Sequence, residues 1–120
     1  MTIAYQNPGP SRAEIEAWRG ATLIEFGTPW CGFCQAAQPA IAQALGVHPG
    51  LRHVRVEDAS GRPLGRSFGV KLWPTLVFVA DGREVARVVR PVDAASITQA
   101  LNMLSDLPAR QGTPGPQPPP

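Results

Sequence analysis

Two cysteines separated by two residues, in Trp30-Cys31-Gly32-Phe33-Cys34, stand between an apolar run, Leu23 to Phe26, and a helical stretch from Cys34 to Leu45. They are the only cysteines among 120 residues. This order predicts a strand, a short loop and a helix whose first turn carries both sulfurs. The spacing lets the sulfurs close a small ring, as a reversible dithiol switch requires. One thiolate must be exposed enough to attack, and its partner close enough to displace whatever is captured. Unpaired N–H groups and the positive dipole end at a helix N-terminus favour a thiolate at Cys31. Cys31 is therefore the expected nucleophile. Cys34, one turn further in, is expected to be more buried and to resolve the mixed disulfide, for which it must lose a proton.

The bulk composition narrows the class. A length of 120 residues suits one domain, and a hydrophobic share of 43% suits an ordinary core. A net charge of +2 from scattered basic residues points to neither nucleic acid nor an anionic membrane. No apolar stretch approaches the roughly 20 residues of a membrane span. Met1 to Pro10 lacks a basic cluster followed by an apolar run, so no secretory signal is expected. The expected compartment is the reducing cytoplasm, where a lone C-x-x-C is catalytic or metal-binding rather than a staple.

Local signals give an element order. Thr2 to Tyr5 suits a short edge strand, and Ser11 with Glu14 forms a capping-box pattern for a helix to about Trp18. Leu23 to Phe26 suits a buried strand containing one acid, Glu25. The helix from Cys34 to Leu45 places Ala36, Ala37, Ala40, Ile41, Ala44 and Leu45 on its apolar side, with Pro39 inside it as a kink. Leu51 to Val56 suits a strand, and Gly61 to Phe68 a short helix. Thr75 to Ala80 and Glu84 to Val89 suit a hairpin around Asp81-Gly82. Asp93 suits the cap of a last helix bearing Ile97, Ala100, Leu101 and Leu104. The expected fold class is α/β, a mixed central β-sheet with helices on both faces, over residues 1–107. Six prolines among the thirteen residues 108–120 suggest an unpacked, extended tail without a role of its own.

Cys31-x₂-Cys34-x₁₃-His48-x₄-His53 also fits a Cys₂His₂ zinc pattern. A zinc finger needs both histidines on a helix, whereas His53 falls on a predicted strand and His48 precedes Pro49-Gly50. The ligands would not converge, so no metal is expected, and both histidines are expected at the surface.

Over roughly Ile3 to Leu104 the sequence resembles the thioredoxin family. Trp30-Cys31-Gly32-Phe33-Cys34 matches its W-C-G-P-C motif with Phe33 in place of proline. Glu25, six residues before Cys31, matches its buried acid, and Pro39, eight residues after, its helix proline. Trp73-Pro74-Thr75 matches its cis-proline turn. Gly27 stands where many members carry an aromatic, and Arg90-Pro91 falls near a glycine of the family's docking surface.

The resemblance implies a thioredoxin fold and a thiol–disulfide oxidoreductase needing no bound cofactor. It implies protein disulfides as substrates and a thioredoxin reductase-like recycling partner. A monomer is expected. Glu25 is expected to be desolvated, with a pKa raised toward neutrality, and to take the Cys34 proton. Its alternative is a pairing with Arg55, which would hold it ionised. Trp30, Gly32, Phe33, Trp73 and Pro74 are the expected substrate-contacting surface, with the Trp73 backbone free to pair with an extended substrate. Phe33 frees a backbone N–H near the sulfurs and is expected to make the pair more oxidising than a proline would. The alternatives are a disulfide oxidant or isomerase in an exported compartment, or a chaperone or scaffold that does not use the cysteines.

Overall fold

The computed structural model describes residues 3–59 and 62–105. The proline-rich segment 108–120 lies outside the described residues. The elements run β1 (Tyr5–Gln6), α1 (Arg12–Glu16), β2 (Ala21–Gly27), α2 (Gly32–Leu45), β3 (Arg52–Glu57), α3 (Pro63–Ser67), β4 (Thr75–Ala80), β5 (Arg83–Val89) and α4 (Ala94–Ser105). One five-stranded sheet has the order β1-β3-β2-β4-β5. β3 pairs in parallel with β1 and β2, while β4 is antiparallel to β2 and β5 to β4. This is the mixed sheet expected from the sequence.

Strand alternation sends successive side chains to opposite faces, and each face has its own core. On one, Leu23, Leu76 and Phe78 pack against Ala37, Ile41 and Ala44 of α2 and Ile97, Ala100 and Leu101 of α4. On the other, Ile24, Phe26, Val54, Val56, Val77 and Val79 pack against Ile15 of α1 and Leu64 and Phe68 near α3. Residues 23, 25 and 27 share the α2 face, so the acid Glu25 and then Gly27 follow Leu23 toward the dithiol helix.

Local differences from expectation have local causes. The capping box of α1 is present, with Ser11 Oγ accepting the Glu14 N–H at 3.0 Å and Glu14 Oε1 accepting the Ser11 N–H at 2.7 Å. The helix ends at Glu16 because the chain turns at Gly20 (φ 80), whose N–H donates to Asp81 Oδ1 at 2.8 Å. α2 starts at Gly32, earlier than expected, because Cys31 itself is the N-cap. Ala36 is exposed rather than on the buried stripe. Pro39 lies inside α2, where it leaves the Gln35 carbonyl without its helical donor. β1 is shifted to Tyr5–Gln6. Asp93 Oδ1 accepts the Ser96 N–H at 3.3 Å at the start of α4.

The β4–β5 hairpin turns on Asp81 (φ 49) and Gly82 (φ 82). Two positive φ angles match the right-handed strand twist, and the second position favours glycine. A side chain at Gly82 would also run into the Glu16 backbone carbonyl. Gly82→Ala is expected to lower stability by about 2 kcal/mol in urea unfolding, through backbone strain and this contact.

Candidate active site

The sulfurs sit at the mouth of α2. Cys31 Sγ accepts the Cys34 N–H at 3.1 Å, filling the role a serine or aspartate has at other helix starts. Both cysteines are free thiols. Cys31 is 8% exposed and Cys34 1% exposed. The first is less open than a freely attacking thiolate was expected to be, and the 67% exposed Trp30 and 58% exposed Phe33 flank it. The observed donor to Cys31 Sγ is the Cys34 amide, not that of Phe33. Burial, with neighbouring Cys31 adding to it, pushes the Cys34 thiol up to about 12.

Glu25 is fully buried beneath this helix. His53 Nε2 lies 2.8 Å from Glu25 Oε1, and the carboxylate acceptor requires the imidazole proton on that nitrogen. Gln38 Nε2 donates to Glu25 Oε2 at 2.9 Å and to the Cys34 carbonyl at 2.9 Å. Arg55 Nε is an ion-pair partner of Glu25 Oε1 at 3.3 Å. Burial opposes ionisation of Glu25, but the His53 and Gln38 hydrogen bonds and the Arg55 charge outweigh it and hold its carboxyl below its ordinary value. The expected rise toward neutrality is thus corrected: counting apolar neighbours in the strand misses two donors and one positive charge from elsewhere in the chain. His53 is likewise no simple surface histidine. Its signal was the alternation of β3, which puts His53 and Arg55 on the face opposite Val54 and Val56, and in register with Leu23 and Glu25.

The second wall is the loop before β4. The Trp73–Pro74 peptide is cis, as is Asn7–Pro8. Trp73 packs edge-on against Trp30 with centroids 5.6 Å apart, and its Nε1–H donates to Asp58 Oδ2 at 2.9 Å. Burial raises the Asp58 carboxyl above its ordinary value, and the Trp73 hydrogen bond opposes that rise. The Trp73 carbonyl is not free, contrary to expectation: it accepts from Arg90 Nε at 2.8 Å. Arg90 takes a left-handed backbone (φ 50), its N–H donates to the Pro74 carbonyl at 2.9 Å, and its guanidinium lies 3.9 Å from the Phe33 ring centroid. One side chain therefore ties the dithiol loop to the cis-proline loop. Among the described residues no group of three or more His, Cys, Asp or Glu could hold a metal ion. Trp30 and Phe33, which flank the cysteines in sequence, are thus joined to Trp73 and Pro74 through the Trp30–Trp73 contact and Arg90; His48 lines a different cavity, with Gly50 and Leu101.

The thioredoxin family model matches residues 8–103. The chain is 33% identical over 84 residues to a thioredoxin of Chlamydia muridarum, covering 69% of this chain and 81% of that protein. It is 30% identical over 106 residues to protein disulfide isomerase-like 2-3 of Oryza sativa subsp. japonica, covering 83% of this chain but spanning only 24% of that protein. Among solved structures, thioredoxin 2 of Pseudomonas aeruginosa PAO1 in its reduced form superposes with a TM-score of 0.80 at 51% identity, covering 88% of this chain and 99% of that one.

Two predictions come from this geometry. Folding lowers the Glu25 pKa, so the folded chain binds that proton less readily than the unfolded chain, and acid favours unfolding. The stabilisation is present above the ordinary glutamate range and is lost as pH falls through and below it. Urea midpoints are expected to drop between about pH 5 and pH 3, and to drop less in Glu25→Gln, which at neutral pH costs about 3 kcal/mol by leaving Arg55 without its counter-charge. Arg90→Ala vacates the Trp73 carbonyl, so KM for an extended peptide disulfide is expected to fall about tenfold, one charge-assisted hydrogen bond's worth of competition.

Proposed function

The chain belongs to the thioredoxin family and is a thiol–disulfide oxidoreductase, and on that premise we propose that it works as a reductant of protein disulfides in the cytoplasm, as a monomer. The supporting observation is the free dithiol at the N-terminus of α2, with Cys31 Sγ one hydrogen bond from the Cys34 amide. The Cys31 thiolate attacks one substrate sulfur, so the substrate S–S bond breaks and a mixed disulfide forms. Cys34 then loses its proton and attacks Cys31 Sγ. The substrate leaves as a thiolate, carrying the electron pair, and a Cys31–Cys34 disulfide remains. The dithiol supplies both electrons, so the step draws on no bound cofactor. A thioredoxin reductase-like partner restores the dithiol.

Trp30, Gly32, Phe33, Trp73 and Pro74 form the surface that meets the substrate, and pairing with the Trp73 carbonyl requires Arg90 to give way. Glu25 acts as a fixed carboxylate that organises His53, Gln38 and Arg55 under the sulfurs. Among the described residues no helix is long and apolar enough to cross a membrane. The similarity to one quarter of a disulfide isomerase-like protein keeps oxidation or isomerisation as the second reading.

Insulin reduction driven by dithiothreitol is expected to fall to background in Cys31→Ser, whereas Cys34→Ser is expected to accumulate a covalent complex with substrate. A scaffold role would leave Cys31→Ser fully active in its assay. The reduction potential, set against glutathione buffers, is expected well below the glutathione pool, where about 30 mV corresponds to 1.4 kcal/mol. A value well above that pool would reverse the direction to oxidation.

A further inference from the structure

Tyr5 lies on the edge strand, far in sequence from either cysteine. β1 and β3 pair with Tyr5 beside Arg55, and β3 and β2 pair with Arg55 beside Glu25. These three positions form a row across the sheet. Gly27 shares the Glu25 face and leaves a gap under α2. A Cβ at Gly27 would lie 2.6 Å from Cys34 Sγ and 3.0 Å from the Tyr5 hydroxyl oxygen. The missing side chain therefore brings the phenol oxygen and the resolving sulfur to one point. The aromatic that many relatives carry at position 27 is replaced in space by a tyrosine from another strand, with its hydroxyl turned to the sulfur.

The Tyr5 hydroxyl is buried, and the side chain it interacts with is Cys34. The contact gains strength when the sulfur becomes a thiolate, because hydrogen bonds to charged acceptors are the stronger kind. The ring is held for that purpose. The Arg55 guanidinium lies 3.9 Å from its centroid, and Arg55 Nη1 is anchored on the Ile3 carbonyl at 2.7 Å. A cleft of about 540 Å³, lined by Tyr5, Cys34, Gln38, Arg55 and Glu57 among others, gives water a route to the same place.

We propose that Tyr5 is a catalytic residue of the resolving step, its phenol O–H donating a hydrogen bond to the Cys34 thiolate. The proposal rests on the Cys31–Cys34 exchange set out above. With substrate bound covalently to Cys31, the Cys34 S–H gives its proton to water in the cleft. The Tyr5 O–H turns onto the bare sulfur and stabilises it. The thiolate forms a bond to Cys31 Sγ, the bond from Cys31 to the substrate sulfur breaks, and the electron pair leaves on that sulfur. The phenol keeps its proton and is unchanged. Burial, and then the charges of Glu25 and Cys34, raise the Tyr5 pKa above its ordinary value, so the donor stays protonated. The charged or titratable groups around the pair are Glu25 on β2 with its partner His53, Arg55 and Glu57 on β3, and Cys31 at the N-cap of α2.

The test uses 5,5′-dithiobis(2-nitrobenzoate), which releases one coloured thiolate when Cys31 attacks and a second when Cys34 resolves. Tyr5→Phe keeps the ring and its stacking on Arg55. Its first phase is expected unchanged, and its second about tenfold slower near neutral pH, with the pH profile of that phase shifted upward, as loss of one charge-assisted hydrogen bond requires. An unchanged second phase would overturn the proposal, as would equal slowing of both phases, the mark of a purely structural role. In a Cys31→Ser background, thiolate absorbance reports Cys34 alone. Tyr5→Phe is expected to raise its midpoint, and an unmoved midpoint would also overturn the proposal. Absence of the first phase in the unaltered protein would instead overturn the dithiol reading itself.

Discussion

The position of the reactive sulfurs depends on one buried carboxylate. A charge inside a sheet is tolerated only when donors replace its lost water. Glu25 has two such donors, His53 on β3 and Gln38 on α2, and the Arg55 charge on β3 beside them. The Gln38 amide is the hinge of this arrangement, because it binds both the carboxylate and the carbonyl of Cys34. The helix bearing the dithiol is thereby pinned to the sheet at the first turn, where Pro39 has already removed one backbone hydrogen bond. Arg55 extends the same network to the edge strand, where it sits over Tyr5.

Features encoded within a few consecutive residues were legible in the sequence. The capping box at Ser11, the Asp81-Gly82 turn, the Asp93 cap and the strand–loop–helix around the cysteines each follow from neighbours along the chain. The mixed character of the sheet followed from them, because early β-α-β units run parallel and the late hairpin antiparallel, but the strand order did not. What the sequence hid was side-chain pairing between distant strands. The isolation of Glu25 in an apolar run revealed its burial but not its donors, so the direction of its ionisation came out reversed. β1 has only two paired residues, too few for any periodicity to show that Tyr5 faces Cys34. Arg90 lay beyond prediction for another reason: its left-handed backbone aims the side chain back over the dithiol loop, and no local pattern demands that conformation of an arginine.

The outer surface of the site is held as firmly as its floor. Trp73 is fixed by the Asp58 hydrogen bond on one side and by Trp30 on the other. Arg90 spans the gap between the two loops, held by a carbonyl and an aromatic ring at once. Aromatic faces and one cation therefore frame the sulfurs, a surface that is largely apolar yet carries a positive charge beside the point of attack. On the proposed reading, an incoming chain would exchange the internal Arg90 bond for an external amide one, and the net gain would be reduced by the loss of a charge-assisted hydrogen bond.

The two-residue length of β1 has a kinetic side. Short edge strands open far more often than the centre of a sheet, with local free energies well below that of global unfolding. Tyr5 rides on such a strand, whereas Cys34 and Glu25 are anchored in the interior. The phenol can thus leave the sulfur's side through fraying of the N-terminal edge while the rest of the sheet stays closed. Amide exchange at Tyr5 and Gln6 would then track the lifetime of the complete redox centre, a clock set by a two-residue edge strand rather than by the core.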